Sequence, residues 1–330
     1  MSNEHFLNDA LLAGFISVAA SAIVNLLLIK FQGWLPVDRP NHRSLHKMPI
    51  PRTGGIAILV GILVSAISVG SGGLYVLMLL AVMLGAISFL DDLRGLPVRV
   101  RFSVQMVAAA LLIWQHLNSN DGMLVFVLCV LTIVWMTNVY NFMDGSDGLA
   151  AGMTLFGFGT YAIGAHVGGA ENVAVISAAI AGAAAAFLVF NFQPARIFMG
   201  DVGSIALGFL AGGLGLIGWM DGLWPLGFPA VIFSPFLVDA TITLAKRVFL
   251  GLPASQAHRD HYFQRLILLG FSHRSTALVE YALMAICCAG GMVVLASPEL
   301  QPAMIVVWIV GYAILLGCVE VAWRKRSAAV

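Results

Sequence analysis

A short polar stretch separates two long apolar runs of this 330-residue chain. The sequence NVYNFMDGSDGLA, residues 138–150, carries two carboxamides, Asn138 and Asn141, and two carboxylates, Asp144 and Asp147. Burying such groups unpaired in hydrocarbon costs several kcal/mol each, so a lipid-facing helix would not retain them. We therefore expect these side chains to line a polar site.

Three further aspartates stand at the ends of apolar runs. Asp91 and Asp92 follow one run, and Asp201 precedes another. If these carboxylates meet the two in residues 138–150, their repulsion is tolerable only when a cation neutralises it. Hard oxygen ligands without cysteine favour Mg²⁺, or Mn²⁺ in its place, and Mg²⁺ commonly binds through one or two carboxylates plus substrate phosphates. The aspartates thus predict a divalent-cation site that acts on a phosphate compound.

Basic residues and glycines accompany the aspartates in five polar segments, at about 31–53, 91–101, 138–148, 191–204 and 246–274. Lysine, arginine and histidine side chains suit phosphate oxygens, and arginine binds them as a bidentate fork. Glycines allow backbone N–H groups to approach an anion; those in question are Gly54, Gly55, Gly145, Gly148, Gly200 and Gly203. The five segments together indicate phosphate chemistry.

Each feature also has a simpler explanation. Asp91 and Asp92 could cap the end of one helix, and the aspartates at 144 and 147 could cap the start of another. The two asparagines share a helix face and could join membrane helices through hydrogen bonds. His258 and His261 could be solvated loop residues. The functional interpretation gains weight only if all five segments share one side of a membrane.

The elements that must position these residues follow from composition. The chain is 60% hydrophobic and only 10% charged, whereas soluble domains have about 25% charged residues, so we predict an all-α, polytopic integral membrane protein. A helix needs about 20 apolar residues to cross the hydrocarbon core. The sequence therefore predicts about eleven transmembrane helices in a single catalytic domain, residues 1–330, at roughly 10–30, 54–71, 73–90, 102–118, 122–140, 148–166, 172–190, 203–220, 224–245, 275–296 and 303–323.

Charge orients these helices. When the links are numbered alternately, every lysine and arginine falls on one side, including Arg43 and Lys47 in the first loop and Arg324–Arg326 at the end. The other side carries acids such as Asp121 and Asp221 and no base. The positive-inside rule predicts an external N-terminus and a cytoplasmic C-terminus. All five polar segments then lie at the cytoplasmic edge of the membrane, which indicates phosphoryl transfer onto, or from, a lipid.

Five motifs lie in these segments. In chain order they are PRTGG at residues 51–55, the pair Asp91-Asp92, NVYNFMDGSDGLA, NFQPARIFMGDVGSIALG from Asn191, and HRDHYFQRL from His258. In this order they resemble the motifs of the polyprenyl-phosphate N-acetylhexosamine-1-phosphate transferases, the MraY/WecA-like superfamily or glycosyltransferase family 4. The resemblance covers residues 38–273, and its third and fourth motifs are long and specific.

Two departures bear on the branch of that family. The family's peptidoglycan enzyme has three consecutive histidines in the last motif, where this chain has HRDH, and a lysine soon after the paired aspartates, where this chain has Arg94 and Gly95. The resemblance therefore implies an enzyme that begins O-antigen, teichoic or other surface glycans. It is most similar to O-antigen initiators that use UDP-GlcNAc or a 6-deoxy relative such as UDP-N-acetylfucosamine.

The implied reaction joins undecaprenyl phosphate to the sugar phosphate of a UDP-N-acetylamino sugar and releases UMP. The implied enzyme is a multi-pass protein of the bacterial inner (cytoplasmic) membrane with Mg²⁺ as its cofactor. Its expected partners are the two substrates and the lipid bilayer, a homodimer is allowed, and no nucleic acid is expected.

The resemblance also assigns roles to residues. The implied metal ligands are Asp201 and Asp144. The implied catalytic residues are Asp91, Asp92, Asp144, Asp147, His258 and His261. The implied substrate-binding residues are Arg52, Asn138, Asn141, Asn191, Arg259, Gln264 and Arg265. Within this set the paired aspartates would position the lipid phosphate, and residues 258–265 would read the sugar.

Three other functions compete with this one. The phospho-N-acetylmuramoyl-pentapeptide transferase of peptidoglycan synthesis is the nearest within the family. A transporter of lipid-linked glycans or nucleotide sugars would also place polar groups in helices, but near the bilayer midplane and in broken, repeated helices. A membrane scaffold would not need its aspartates for function. Formation of UMP by the purified protein separates the enzyme from the last two.

Overall fold

The computed structural model describes residues 3–38, 49–70, 73–117, 122–253 and 258–327. Its helices are α1 (Asn3–Lys30), α2 (Gly54–Val69), α3 (Tyr75–Arg94), α4 (Val98–Trp114), α5 (Met123–Met143), α6 (Leu149–Val167), α7 (Glu171–Asn191), α8 (Gly200–Met220), α9 (Gly227–Ile232), α10 (Ser234–Phe249), α11 (Tyr262–Leu268), α12 (His273–Ala296) and α13 (Gln301–Ser327). Two short antiparallel strands, β1 (Val37–Asp38) and β2 (Ile50–Pro51), precede α2. Arg43, Lys47 and Asp121, used above for orientation, lie outside the described residues.

The helices confirm an all-α polytopic membrane architecture. Within the described ranges, seven helices are long and apolar enough to cross a bilayer: Leu7–Lys30, Tyr75–Arg94, Met123–Met143, Glu171–Asn191, Gly200–Met220, His273–Ala296 and Pro298–Arg326. Every predicted span coincides with a helix except the ninth, at 224–245, which is divided between α9 and α10. The count of eleven spans and the orientation of the termini stay predictions.

Proline explains the division of the ninth span. Pro235 is the second residue of α10 and has no N–H with which to continue the hydrogen bonds of α9. The last bond of the preceding turn runs from the Phe233 N–H to the Pro229 carbonyl, at 3.1 Å. The chain therefore begins a new helix at Ser234.

α8 is the central helix of the bundle and is almost entirely buried, with α2, α3 and α5 packed against it. Glycines allow this close packing, since a Cβ on Gly55 of α2 would lie 2.2 Å from the backbone nitrogen of Gly203. At the first residue of α8, Gly200 has φ +69° and passes so close to the Arg52 carbonyl that a Cβ would lie 2.3 Å from it. The start of α8, with Asp201, is thereby set directly against the residues that precede α2.

α13 lies at the edge of the bundle, and most of its apolar side chains are exposed. In a membrane protein such a surface faces lipid. It packs against α11, α12 and the turn that precedes it, and side chains such as Tyr312 and Glu320 bond to residues of α10.

Candidate active site

The first motif binds the fourth through main-chain hydrogen bonds. The N–H groups of Gly54 and Gly55 donate to the carbonyls of Phe198 and Met199, at 2.9 and 2.8 Å. Gly148 likewise donates its N–H to Asn191 Oδ1, at 2.9 Å. The expectation that these three glycines would offer N–H groups to an anion is therefore wrong, because each N–H already has an acceptor. Their function is to let the motifs approach one another.

The paired aspartates end α3 and are each held by an arginine. Asp91 accepts the Leu96 N–H at 2.6 Å, where the chain turns after the helix, and accepts Arg101 Nη1 at 2.7 Å. Asp92 pairs with Arg52, whose Nη2 lies 3.1 Å from its Oδ1. These ion pairs connect the second motif to the first and to the start of α4.

Asp201 stands in the first turn of α8, next to this cluster. Its Oδ1 accepts a hydrogen bond from Asn141 Nδ2 at 3.0 Å, and the same nitrogen lies 3.0 Å from Ser204 Oγ. Its Oδ2 lies 3.6 Å from Arg101 Nη1. Arg101 thus bridges Asp91 and Asp201, so the structure brings the second, third and fourth motifs together as predicted from the sequence.

Asp144, which follows the last residue of α5, belongs to the same acidic cluster. Burial, together with the negative charge of Asp201, raises the pKa of Asp144 well above its ordinary value, although a backbone hydrogen bond from Gly200 opposes the shift. Two carboxylates so placed are suited to share a divalent cation.

No described group of three or more His, Cys, Asp or Glu side chains forms a complete metal site by itself. Two carboxylates beside an amide fit an ion such as Mg²⁺, which takes its remaining ligands from water and substrate phosphates. Asp201 and Asp144 are the side chains that would hold it.

Asp147 and Asn191 connect the third and fourth motifs. Asp147 accepts the Ala195 N–H at 3.1 Å. Asn191 is buried, accepts the Gly148 N–H and donates to the Ile197 carbonyl at 2.9 Å. Both ends of the Asn191 side chain are therefore committed to the main chain, which gives it a positioning role where the sequence suggested direct substrate binding.

A cavity of about 400 Å³ opens beside Asp201, between α3, α4, α5, α8 and α10. The predicted site residues that line it are Asn138, Asn141, Asp201, His258, His261 and Gln264. Arg101 and Gln105 of α4 and Ser88 of α3 complete the polar part of the wall. The rest is apolar and includes Leu84, Ile87, Phe102, Ile205 and Leu244. One cavity thus presents polar groups beside a hydrocarbon-like surface.

The fifth motif enters this cavity through His261, which Asp239 orients. Asp239 is buried on α10; its Oδ1 lies 3.1 Å from His261 Nδ1. It also accepts the N–H groups of Tyr262 and Phe263, each at 3.0 Å, at the start of α11. With Nδ1 bound to a carboxylate, the His261 ring is fixed and its Nε2 is left for the cavity.

His258 stacks on His261, with ring centroids 5.0 Å apart. Burial, followed by the nearby His261 and the Arg247 guanidinium, lowers the pKa of His258 to about 4. The ring is therefore neutral near pH 7, and it lines the cavity. Its catalytic role stays a prediction.

The remaining residues of the fifth motif differ in placement. Gln264 lines the cavity and also accepts the His261 N–H at 3.3 Å, which caps α11. Arg265 is directed elsewhere: its Nη1 lies 2.9 Å from Glu320 of α13, and its guanidinium lies over the ring of Trp323. Arg259 is half-buried and does not line the cavity. The structure therefore separates Arg265 from the predicted sugar-reading set.

Sequence reasoning did not assign a site role to Arg101, Gln105 or Asp239. Arg101 was counted only as a topological charge, although its spacing of four from Gln105 places both on one face of α4. Asp239 could have been recognised as a buried carboxylate near the end of an apolar run, which usually has a partner.

Comparison with known proteins gives one family. The model of the family described as glycosyl transferase family 4 matches residues 74–219. A Bacillus subtilis protein named as a probable undecaprenyl-phosphate N-acetylglucosaminyl 1-phosphate transferase is 31% identical over 293 residues, covering 83% of this chain and 81% of its own.

Two further relatives differ in how much of this chain they cover. The decaprenyl-phosphate N-acetylglucosaminephosphotransferase of Mycobacterium tuberculosis is 32% identical, over 85% of this chain and 80% of its own. The phospho-N-acetylmuramoyl-pentapeptide-transferase of Geobacillus thermodenitrificans is 36% identical, but over 58% of this chain and 71% of its own.

Proposed function

The chain belongs to glycosyl transferase family 4, and from that premise we propose that it transfers an N-acetylamino-sugar 1-phosphate from a UDP-sugar to undecaprenyl phosphate. UMP is the other product. One observation supports this most strongly: Arg101, Asp201 and other polar groups share one cavity with apolar side chains of α3, α4, α8 and α10. A charged phosphate on a hydrocarbon chain is the kind of substrate that matches both surfaces.

The reaction needs little covalent help from the protein. A phosphate oxygen of the lipid attacks the phosphorus that carries the sugar, and the bond from that phosphorus to the UMP oxygen breaks. The second pKa of a phosphate monoester is about 6, so the attacking oxygen is already ionised near neutral pH and no general base is required. Positioning and charge neutralisation should supply most of the rate acceleration.

The side chains divide that work. A Mg²⁺ ion held by Asp201 and Asp144 would neutralise the diphosphate of the donor. Arg101 would contact phosphate oxygens with its guanidinium, and Asp91 holds it in place through an ion pair of 2.7 Å. Asp92 orients Arg52 in the same way. The paired aspartates thus act mainly on arginines in this structure, and through them on the phosphates.

A second cavity, of about 460 Å³, provides room for the polyprenyl chain. It lies between α5, α8, α9 and α10, and its lining, which includes Leu131, Trp135, Leu216, Pro229 and Leu237, is almost wholly apolar. Helices α5, α8 and α10 border both cavities. A chain that followed these helices would connect the phosphate site to the membrane interior.

The donor we favour is UDP-GlcNAc or a close relative, for synthesis of O-antigen or a similar surface glycan. Of the three relatives compared, the two that align over more than four fifths of this chain are named for N-acetylglucosamine, whereas the pentapeptide transferase aligns over 58%. The test is a panel of UDP-GlcNAc, UDP-N-acetylfucosamine and UDP-N-acetylmuramoyl-pentapeptide, each assayed with undecaprenyl phosphate and Mg²⁺. The fastest release of UMP should come from one of the first two donors.

The transporter alternative has one structural feature in its favour, the broken ninth span. The polar side chains at the break are bonded to one another, since Ser234 Oγ lies 2.8 Å from Tyr312 Oη and accepts Trp308 Nε1 at 3.2 Å. The ion pairs of Arg101 with Asp91 and Asp201 instead stand at the ends of α3, α4 and α8. This arrangement favours the enzyme.

Gln264 should influence donor choice more than its neighbour Arg265 does. Gln264 lines the cavity, whereas Arg265 is paired with Glu320. Substituting Gln264 with alanine should change the ratio of the rates for UDP-GlcNAc and UDP-N-acetylfucosamine, because contacts to particular sugar groups affect donors selectively. Arg265→Gln is the matched control and should slow both donors equally. Equal losses in both variants would remove Gln264 from sugar recognition.

The orientation of the protein is also open to direct test. If the positive-inside rule holds, a reporter fused after residue 330 should read cytoplasmic and one inserted at Asp221 should read external. The candidate active site would then face the cytoplasm of a bacterial inner membrane, where UDP-sugars are made. Reporters that read the same side would contradict the eleven-span topology.

A further inference from the structure

Gln105 is a buried residue whose side-chain amide lines the cavity beside Asp201. The residue lies on α4 and is only 6% exposed. Its Oε1 accepts a hydrogen bond from Asn138 Nδ2 at 2.8 Å. Its Nε2 donates to no described residue and is not one of the fully buried unpartnered atoms, so it is open to the cavity.

The orientation of both amides follows from one carbonyl. Asn138 Nδ2 lies 2.7 Å from the Val134 backbone oxygen. Because a carbonyl only accepts, Asn138 must present its nitrogen there, and the second hydrogen of that nitrogen goes to Gln105. Gln105 must then present its oxygen to Asn138 and its nitrogen to the cavity. An amide N–H that faces the cavity and has no protein acceptor among the described residues is available to a ligand atom that accepts hydrogen bonds.

The position of Gln105 indicates which ligand that is. Arg101 lies in the first turn of α4 and Asn141 in the last turn of α5, and both contact Asp201. Gln105 and Asn138 lie one turn further into the same two helices. Apolar lining residues also lie a turn or more inside their helices: Leu84 and Ile87 precede Asp91 on α3, and Ile205 follows Asp201 on α8. Gln105 is therefore at the boundary between the charged and the hydrocarbon-like parts of the cavity.

An amphiphilic substrate has its phosphate at that boundary. The UDP-sugar is polar throughout and gains nothing from an apolar wall, whereas a polyprenyl phosphate joins a charged head directly to a hydrocarbon chain. We propose that Gln105 Nε2 donates a hydrogen bond to a phosphate oxygen of the polyprenyl phosphate acceptor. This proposal rests on the proposed function and names a residue that binds the acceptor.

Two substitutions separate this role from a purely structural one. Gln105→Glu keeps an oxygen for Asn138 but replaces the donor with a negative charge, which repels phosphate. Gln105→Leu removes both functions without adding a charge that could attract Arg101. Each variant is purified in detergent, checked for a single monodisperse peak and an unchanged melting temperature, and assayed for UMP release. The KM is measured separately for undecaprenyl phosphate and for the UDP-sugar.

We expect the KM for undecaprenyl phosphate to rise about tenfold or more in both variants, as for a lost hydrogen bond to a charged group, and the KM for the UDP-sugar to stay unchanged. The same relative rise should appear with a short-chain polyprenyl phosphate, since the affected contact is to the phosphate. Wild-type kinetics in Gln105→Glu would show that only the oxygen matters and would overturn the proposal. A rise confined to the KM of the UDP-sugar would overturn it as well. If the wild-type protein itself releases no UMP from any donor, the proposed function has failed.

Discussion

Replacement of Asp201 by asparagine is expected to slow UMP release by about 10²- to 10³-fold at saturating concentrations of both substrates, which is the usual effect of removing one electrostatic contact from the transition state. Asparagine keeps the shape of the side chain but removes the charge that faces Arg101 and Asp144. The bound cation would then have one carboxylate fewer to hold it. Rates measured across a Mg²⁺ titration should show a higher Mg²⁺ requirement in the variant.

The other end of α8 supplies a matched control. Asp221 follows the last residue of the helix, is exposed, and lies far from the cavity lining, so Asp221→Asn should retain the wild-type rate. EDTA should abolish UMP release by the wild-type protein, and added Mg²⁺ should restore that activity. An Asp201→Asn variant with full activity at low Mg²⁺ would exclude Asp201 from the active site.

Removal of either member of the Asp239–His261 pair should be nearly as damaging. Asp239 accepts hydrogen bonds from the His261 ring and from two N–H groups at the start of α11. Loss of a hydrogen bond to a charged group costs about 1.5–3 kcal/mol, equivalent to about a 10- to 100-fold loss of rate. Asp239→Ala and His261→Ala should each reduce kcat by at least this factor with every donor.

The rate losses caused by Asp239→Ala and His261→Ala should not be additive. If Asp239 acts by orienting His261, the double variant should be no slower than the poorer single variant, which is the behaviour of residues that work as a unit. Thr243→Val is the control, because Thr243 also bonds to Asp239 but does not contact His261. Additive losses in the double variant would show that Asp239 and His261 contribute separately.

The helices and the location of the site were accessible from sequence because lipid imposes simple rules. Long apolar runs become helices when the backbone has no water to bond to, and the runs ending at Asp92 and Asn141 did so. The clustering of the motifs followed from the side of the membrane on which each run ends. The division at Phe233–Ser234 was missed because an apolar run hides a helix break unless the proline within it is given weight.

The roles of individual side chains were less accessible, because they depend on contacts between distant segments. Asn191 reads as a polar residue in a motif, yet both ends of its side chain are bonded to backbone. Arg265 lies one residue from Gln264, but the helical turn directs it to Glu320. The first distinction requires the arrangement of the third and fourth motifs, and the second requires that of α11 and α13. No local pattern encodes either one.

The most direct test is to follow the β-phosphate of the donor. Purified protein is incubated with Mg²⁺, undecaprenyl phosphate and either UDP-GlcNAc or UDP-N-acetylfucosamine labelled in that phosphate. We expect the label to enter the lipid fraction, with release of one UMP for each labelled lipid and no reaction when undecaprenyl phosphate is omitted. Release of labelled UDP would indicate transfer of the sugar without its phosphate. That result, or the absence of UMP with both donors, would contradict the proposed function.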